Sequence, residues 1–459
     1  MIELTLDEIA AATDGAVVHE ADGTVRVANV STDSREVGTA ALFVALPGET
    51  ADGHDFVAAA RDGGAVAALV QDAAALDGLP GVVVEDTWRA IGAVGAHVRD
   101  TVDPDVVAIT GSVGKTTTKD LTRAALAADR PTVAAQGSFN NELGVPLTLL
   151  ATEPETQALV VEIGARGVGH IASLTPWVRP DVSIVTAVAG AHLEMYGDLD
   201  TVAVAKGELV EALDARGTAV LNADDPRVWA MRERTSASVL GYGTDGADVH
   251  VTAVELGPLA RPVARVATPW GEVELRMPVP GAHNLENALG AIAAAGALGV
   301  DPAVAAAGIA EATLSRWRAE VTERGDGLLV CNDAYNSNPT SARAALRLLA
   351  DLRRPSGRAV AVLGFMAELG AGEAEGHAEV GTAAAEVADL VVAVGSTGPL
   401  ADAARTGGAQ VVEVEDAAAA VAALRTTVGP DDVVLVKASR SAGLEAVAEG
   451  LLDDREDDS

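Results

Sequence analysis

The chain is poor in sulfur, in aromatic rings and in lysine. Its single cysteine, Cys331, excludes a disulfide framework, and the strand-like run Gly327-Leu328-Leu329-Val330 before it predicts burial. Aromatic residues make up only 3%, so the cores must be packed from Ala, Val and Leu. No long apolar run is present. The most apolar window, Ala288 to Val300, is mostly alanine and glycine and stops at Asp301-Pro302, too short to span a bilayer. Met1-Ile2-Glu3-Leu4-Thr5 carries an acid where a signal peptide has its basic region. The expectation is a cytoplasmic protein with no stable membrane insertion.

Basic residues are also scarce. Lys and Arg total 32 against 67 Asp and Glu, a net charge of −35. Such a chain repels nucleic acid and anionic membrane surfaces, so neither is expected as a partner. Any phosphate site must be locally positive. Only four lysines occur, at 115, 119, 206 and 437, and the other 28 basic residues are arginine. The two are not interchangeable, so a retained lysine is expected where an amine is needed.

At 459 residues the chain should hold several domains. The fold class expected is α/β in three domains. Residues 1–102 read as a small N-terminal α/β domain, with a helix over Leu4 to Ala12 and strands at Ala41 to Leu46, Ala65 to Val70 and Val82 to Val84. Residues 103–314 read as a central P-loop ATPase-type domain with a mostly parallel sheet. Its strands are Ala158 to Val161, Val182 to Val185 and Ala219 to Leu221, then a shorter-period antiparallel flap from Val249 to Met277 and an alanine-rich helical pair. Residues 315–452 alternate strand and helix again, giving a Rossmann-like doubly wound sheet. The acidic tail 453–459 is expected to be disordered.

The densest signal is Val106 to Thr118. An apolar run ends in Gly111-Ser112-Val113-Gly114, then Lys115-Thr116-Thr117-Thr118 opens a helix. Glycines let backbone amides converge on an anion, and the helix adds its positive end. Lys115 can reach a terminal phosphate, and the Thr116 hydroxyl can sit on Mg²⁺. The pattern is a shortened phosphate loop, with Ile109 where the full form has a glycine. Glu162 ends a buried strand, where a parallel sheet binds ligands and where a carboxylate can hold Mg²⁺. His192 follows a strand, and Lys206 sits among small residues on a helix. Ser31-Thr32-Asp33-Ser34-Arg35 and Asp52 to Phe56 fit a capped turn and a phosphate or sugar contact equally well. Asp224 and the pair Asn284 and Asn287 stand where amides and acids can read a base or ribose, although Asn284 also suits a helix cap.

In order, TGSVGKTTT, FNNELGVP, VEIGARGVGHI, AHLEMYG, AKGELVE, LNADD, GAHNLENAL, DAYNSNP and LGFMAELG resemble the Mur ligase family, over the whole chain except the acidic tail. The set is most similar to the family's dipeptide-adding member. The resemblance implies that the N-terminal domain holds a UDP-sugar through Ser31, Thr32, Asp33, Ser34 and Arg35. It implies ATP on Gly111, Ser112, Gly114, Lys115, Thr116 and Thr117, with Asp224, Asn284, Asn287, Arg318 and Asp333 as further nucleotide contacts. Mg²⁺ would lie on Thr116, Glu162, His192 and Lys206, and Lys206 would carry a carbamate. Lys115, Glu162, His192 and Lys206 are the implied catalytic set. Asn140, Asn141, Tyr335, Asn336 and Asn338 are the implied substrate contacts. The implied substrates are UDP-MurNAc-tripeptide and D-Ala-D-Ala, joined through an acyl phosphate and a tetrahedral intermediate by a monomer. Three positions depart from the family pattern: Ala187 for an asparagine, Phe365 for an acid and Ala438 for a glycine. Rival readings are a diaminopimelate- or lysine-adding sister ligase, a folylpolyglutamate synthetase, a P-loop switch or transport ATPase, and a non-catalytic scaffold. DAYNSNP and LGFMAELG favour the dipeptide-adding enzyme.

Overall fold

The computed structural model describes residues 1–18, 25–190, 193–244 and 246–453. The chain builds three main sheets, each in its own stretch of sequence. In the first, Ala16–Val18, Gly81–Val83, Ala65–Val70, Ala41–Val44 and Asn29–Ser31 lie side by side, parallel except for the first pair. Leu4–Thr5 pairs separately with Arg26–Val27, so the first helix starts at Leu6, capped by Thr5 with Glu8 bonding back to it.

The central sheet has nine strands. Third from one edge is Asp105–Thr110, flanked by Ala158–Glu162 on one side and Val182–Val185 on the other, all parallel. The chain leaves Asp105–Thr110 toward Thr132–Ala134 and Ala158–Glu162, then crosses to Val182–Val185, Thr218–Asn222 and Ser238–Gly243. Direction of growth therefore reverses at Asp105–Thr110, the point where open α/β sheets leave a crevice at their carboxyl edge. These strands are near-continuous Val, Ile and Ala because helices cover both faces. The expected antiparallel flap is present as Val249–Leu256, Pro262–Thr268 and Gly271–Arg276, but it is no separate unit. Val249–Leu256 pairs in parallel with Ser238–Gly243 and extends the same sheet. The alanine-rich pair forms helices His283–Ala297 and Pro302–Ala310.

The third sheet runs Glu320–Glu323, Leu329–Asn332, Val433–Lys437, Ala359–Leu363, Leu390–Val394 and Gln410–Val414. The edge strand Glu320–Glu323 is antiparallel and the rest are parallel. That edge was not legible as a strand, since its acidic, largely exposed residues lack the apolar run of its neighbours. Cys331 is fully buried, and burial pushes its thiol well above the usual range. Among the described residues no helix is long and apolar enough to cross a membrane.

Candidate active site

The carboxyl edges of the central and third sheets enclose a cavity of about 730 Å³. The phosphate loop forms its floor. Gly111 and Gly114 both have positive φ, at 152° and 83°. A Cβ at Gly111 would lie 1.8 Å from Thr186 Oγ1, and one at Gly114 would lie 2.4 Å from Asn287 Oδ1. Glycine is thus required twice over, by backbone conformation and by space. The loop is tied to the neighbouring strand exit. Ser112 N–H donates to Ala187 carbonyl oxygen at 2.8 Å, and Thr186 Oγ1 donates to Val113 oxygen at 2.6 Å. Ala187 therefore serves here through its backbone. Lys115, Thr116 and Thr117 open the helix Lys115–Ala127, its amino end facing the cavity.

Lys115 Nζ donates to Gly111 oxygen at 2.7 Å. Burial pushes its ammonium below the usual range; the Glu162 charge opposes this and Arg318 adds to it. Glu162 is fully buried. Its Oε1 accepts from Asn140 Nδ2 at 2.7 Å, while Oε2 meets no partner. A buried carboxylate oxygen without a donor is costly unless something positive comes to it. Lys206 lines the same cavity at 3% exposure, with no acceptor on its ammonium among the described residues. Burial, then the nearby Lys115 charge, lowers its pKa to about 7, with Glu208 opposing. Glu208 itself holds the amino end of helix His170–Val178: its carboxylate accepts from Gly169 N–H at 2.5 Å and Ala172 N–H at 2.9 Å. His192 lies outside the described residues.

The opposite wall comes from the third sheet. Arg318 donates through Nη2 to Thr116 Oγ1 at 2.9 Å and stacks 4.2 Å above the Tyr335 ring. The Tyr335 hydroxyl meets Ser138 Oγ, so the two sheets touch at both ends of this stack. Lys437 is 3% exposed. Its ammonium donates to Asp333 Oδ2 at 2.6 Å and Asn336 oxygen at 2.9 Å, pinning that loop. Asn338 caps helix Pro339–Leu352, and its amide oxygen accepts from Ser341 N–H. Asn284 bonds Pro280 oxygen and accepts from Asn287, whose own oxygen accepts from Thr118 Oγ1.

Most of the sequence-expected residues thus meet at one cavity: Ser112, Gly114 to Thr117, Asn140, Asn141, Glu162, Lys206, Asn284, Asn287, Arg318, Asp333, Tyr335, Asn336 and Asn338. Asp224 lies beside it but outside the lining, exposed and bonded to Thr244. The cluster from Ser31 to Arg35 is also outside the lining. It forms a self-contained turn: Ser31 Oγ donates to Asp33 oxygen, and Asp33 pairs with an exposed Arg35. Asn141 accepts from Gly144 N–H and starts the helix Gly144–Leu150. The sequence reading missed Arg166, Arg343 and Arg347, three cavity-lining cations. Arg343 and Arg347 are four apart on one helix, a spacing that marks a shared face. They make this crevice locally positive in an acidic chain. Phe365 is not in the lining; it stacks on His377 with centroids 5.4 Å apart.

Comparison with known proteins fits this geometry. Three family models match the chain: the Mur ligase family catalytic domain over residues 26–111, the Mur ligase middle domain over 109–295, and the Mur ligase glutamate ligase domain over 317–440. A curated relative from Mycobacterium tuberculosis, UDP-N-acetylmuramoyl-tripeptide–D-alanyl-D-alanine ligase, is 41% identical, covering 99% of this chain and 98% of its own. The protein of the same name from Escherichia coli is 36% identical over 98% and 99%. A crystal structure of MurF from Acinetobacter baumannii superposes with a TM-score of 0.90 at 32% identity, over 98% of this chain and 99% of that one.

Proposed function

The chain belongs to the Mur ligase family, and from that we propose that it joins D-alanyl-D-alanine to UDP-N-acetylmuramoyl-tripeptide at the expense of ATP. The products are the UDP-MurNAc-pentapeptide, ADP and phosphate, a step of peptidoglycan precursor synthesis. The observation that carries the reading is the single cavity where the phosphate loop, a buried and half-satisfied Glu162, and a deeply buried Lys206 converge. The crystal structure of MurF ligase from Thermotoga maritima in complex with ADP, with a TM-score of 0.81 at 28% identity, supports ATP as the nucleotide.

The residues divide the work. Loop amides, the helix amino end and Lys115 hold the transferring phosphate, where positioning and positive charge matter more than covalent protein chemistry. Arg318, half-buried and stacked on Tyr335, adds charge to the same place. Asn287, Asn284 and Asp333 line the nucleotide side. Ser31 to Arg35 take the UDP-sugar, although they lie outside the cavity. Asn140, Asn141, Tyr335, Asn336 and Asn338 face the peptide and the incoming amine. The tripeptide carboxylate attacks the γ-phosphorus and ADP leaves. The dipeptide amine then adds to the acyl phosphate, and the tetrahedral intermediate expels phosphate.

Mg²⁺ suits the donors present. Among the described residues no three His, Cys, Asp or Glu side chains cluster. Mg²⁺ is commonly held by one or two carboxylates with substrate phosphates and water. Glu162 Oε2 is a buried oxygen in need of a cation, and Thr116 supplies a hydroxyl. A carbamate on Lys206 would be the second anion. Its neutral Nζ attacks CO2, an N–C bond forms, one C=O pair moves onto oxygen, and a proton leaves to solvent. With its pKa near 7, much of Lys206 is neutral at neutral pH. Bound Mg²⁺ would supply neutralisation of phosphate charge. The test is ADP release with UDP-MurNAc-tripeptide, comparing D-Ala-D-Ala with single amino acids. Release with L-lysine or diaminopimelate, and none with the dipeptide, would mark a sister ligase.

A further inference from the structure

Of the four lysines, only Lys119 does not line the cavity. It sits on the phosphate-loop helix at 2% exposure. Its ammonium donates to Ala135 oxygen at 2.8 Å and Gly137 oxygen at 2.9 Å, and pairs with Asp120 Oδ1 at 2.7 Å. An ammonium has three N–H donors, so all are used. Asp120 is 5% exposed, and its Oδ2 accepts the backbone N–H of Ser315 at 2.8 Å. Two adjacent side chains of one helix therefore reach in different directions. Lys119 holds the loop that leads to Ser138 and Asn140. Asp120 holds the segment that leads to Arg318.

Both tethered segments run on to side chains of the cavity. Asn140 bonds the Glu162 carboxylate. Ser138 meets Tyr335, whose ring lies under Arg318, and Arg318 returns to Thr116 on the helix where the tethers began. The contacts form a closed ring around the phosphate loop. Resting on the ligase reading above, we propose that Lys119 and Asp120 are positioning residues for ligation, setting Glu162 and Arg318 against the phosphate loop. Stability alone does not call for this pair, since a buried ion pair can often be exchanged for apolar residues without loss. Nor does charge alone call for a lysine in a chain that uses arginine for 28 of its 32 basic residues. A planar guanidinium cannot aim its donors at these three oxygens as a tetrahedral ammonium does.

The test uses the full-length protein. The double variant K119M/D120L removes both tethers without stranding a charge. Cooperative unfolding near the wild-type temperature is expected, with kcat at least about ten-fold lower, since small misplacements cost much in rate. KM for ATP should stay within about three-fold, and amide exchange should speed up at 135–140 and 315–318. A folded double variant turning over within about two-fold of wild type overturns the proposal. Lys119→Arg keeps the charge and decides the matter if the double variant fails to fold. Lower kcat with faster exchange at 135–140 supports the proposal, and wild-type values for both overturn it. If wild type releases no ADP with the dipeptide, the ligase reading fails; the exchange rates still judge the tethers.

Discussion

The carboxyl edges of the central and third sheets use the same residue types and treat them in opposite ways. At the central edge polar groups are left unspent. Glu162 Oε2 and Ser112 Oγ are buried without partners, and Lys206 has no acceptor among the described residues. At the third edge most are spent on each other. Lys437 satisfies Asp333 and Asn336, and Asn338 caps a helix. An unsatisfied buried group raises the free energy of the empty protein and strengthens whatever ligand satisfies it. A satisfied network fixes its neighbours in place. The central edge is thus prepared to bind, and the third edge to hold Arg318 and Tyr335 where they can help.

The contrast is broken most severely at the central edge. Lys115→Ala should fold normally and lose turnover by about 10³-fold, because the loop loses the ammonium carried by its own tip. ADP release together with a thermal melt checks this; near-normal turnover would refute the phosphate assignment.

Lys206 comes next. Lys206→Arg keeps a cation but cannot form a carbamate, so turnover should drop by about 10²-fold in a folded protein. Wild-type activity would rule out an essential carbamate. In Lys206→Ala, added short-chain carboxylic acids should restore part of the rate by supplying the missing anion. The sign of the pH effect follows from the lowered pKa. Below about 7 the amine is protonated in the fold, and above it the amine is free to react. At equal dissolved CO2, CO2-depleted enzyme should therefore reactivate faster at pH 8 than at pH 6. The same shift makes the unfolded chain bind more protons between pH 7 and 10.5, so without CO2 this residue's contribution to stability improves as pH rises.

At the third edge the effects should be smaller and of another kind. Lys437→Met releases Asp333 and the Asn336 carbonyl, so stability should fall by about 1–3 kcal/mol. KM for ATP should rise about ten-fold through loss of positioning, with a smaller change in kcat. A drop in kcat alone would place Lys437 in the chemistry instead. The smallest effect is expected for Phe365→Asp, which restores the acid usual in the family. The ring stacks on His377 outside the cavity, so turnover should stay within about three-fold, read in the same assay.

Long-period features were legible in the sequence. The strands Ala65–Val70, Val182–Val185, Ala359–Leu363 and Leu390–Val394 lie where apolar runs placed them. Glu162 was legible because strand ends in parallel sheets face the crevice. Side-chain partnership was not. Asn140 reads as a substrate residue in its motif, yet its amide also holds Glu162. Asn338 reads as a contact and is spent on a helix cap. Amides do both jobs with the same atoms, and only distance separates them. Lys119 was flagged by lysine scarcity alone, because its acceptors are backbone carbonyls that no motif can spell.

The placement of the lysines has a practical consequence for labelling chemistry. None is exposed: Lys119, Lys206 and Lys437 are buried and Lys115 is half-buried, all bordering or bracing one crevice. Reagents that acylate amines will find no harmless lysine on the surface, and any lysine adduct is a lesion at or beside the active site. A protease specific for lysine likewise meets no accessible bond until part of the structure opens. Its cutting rate would read out how often the crevice comes apart.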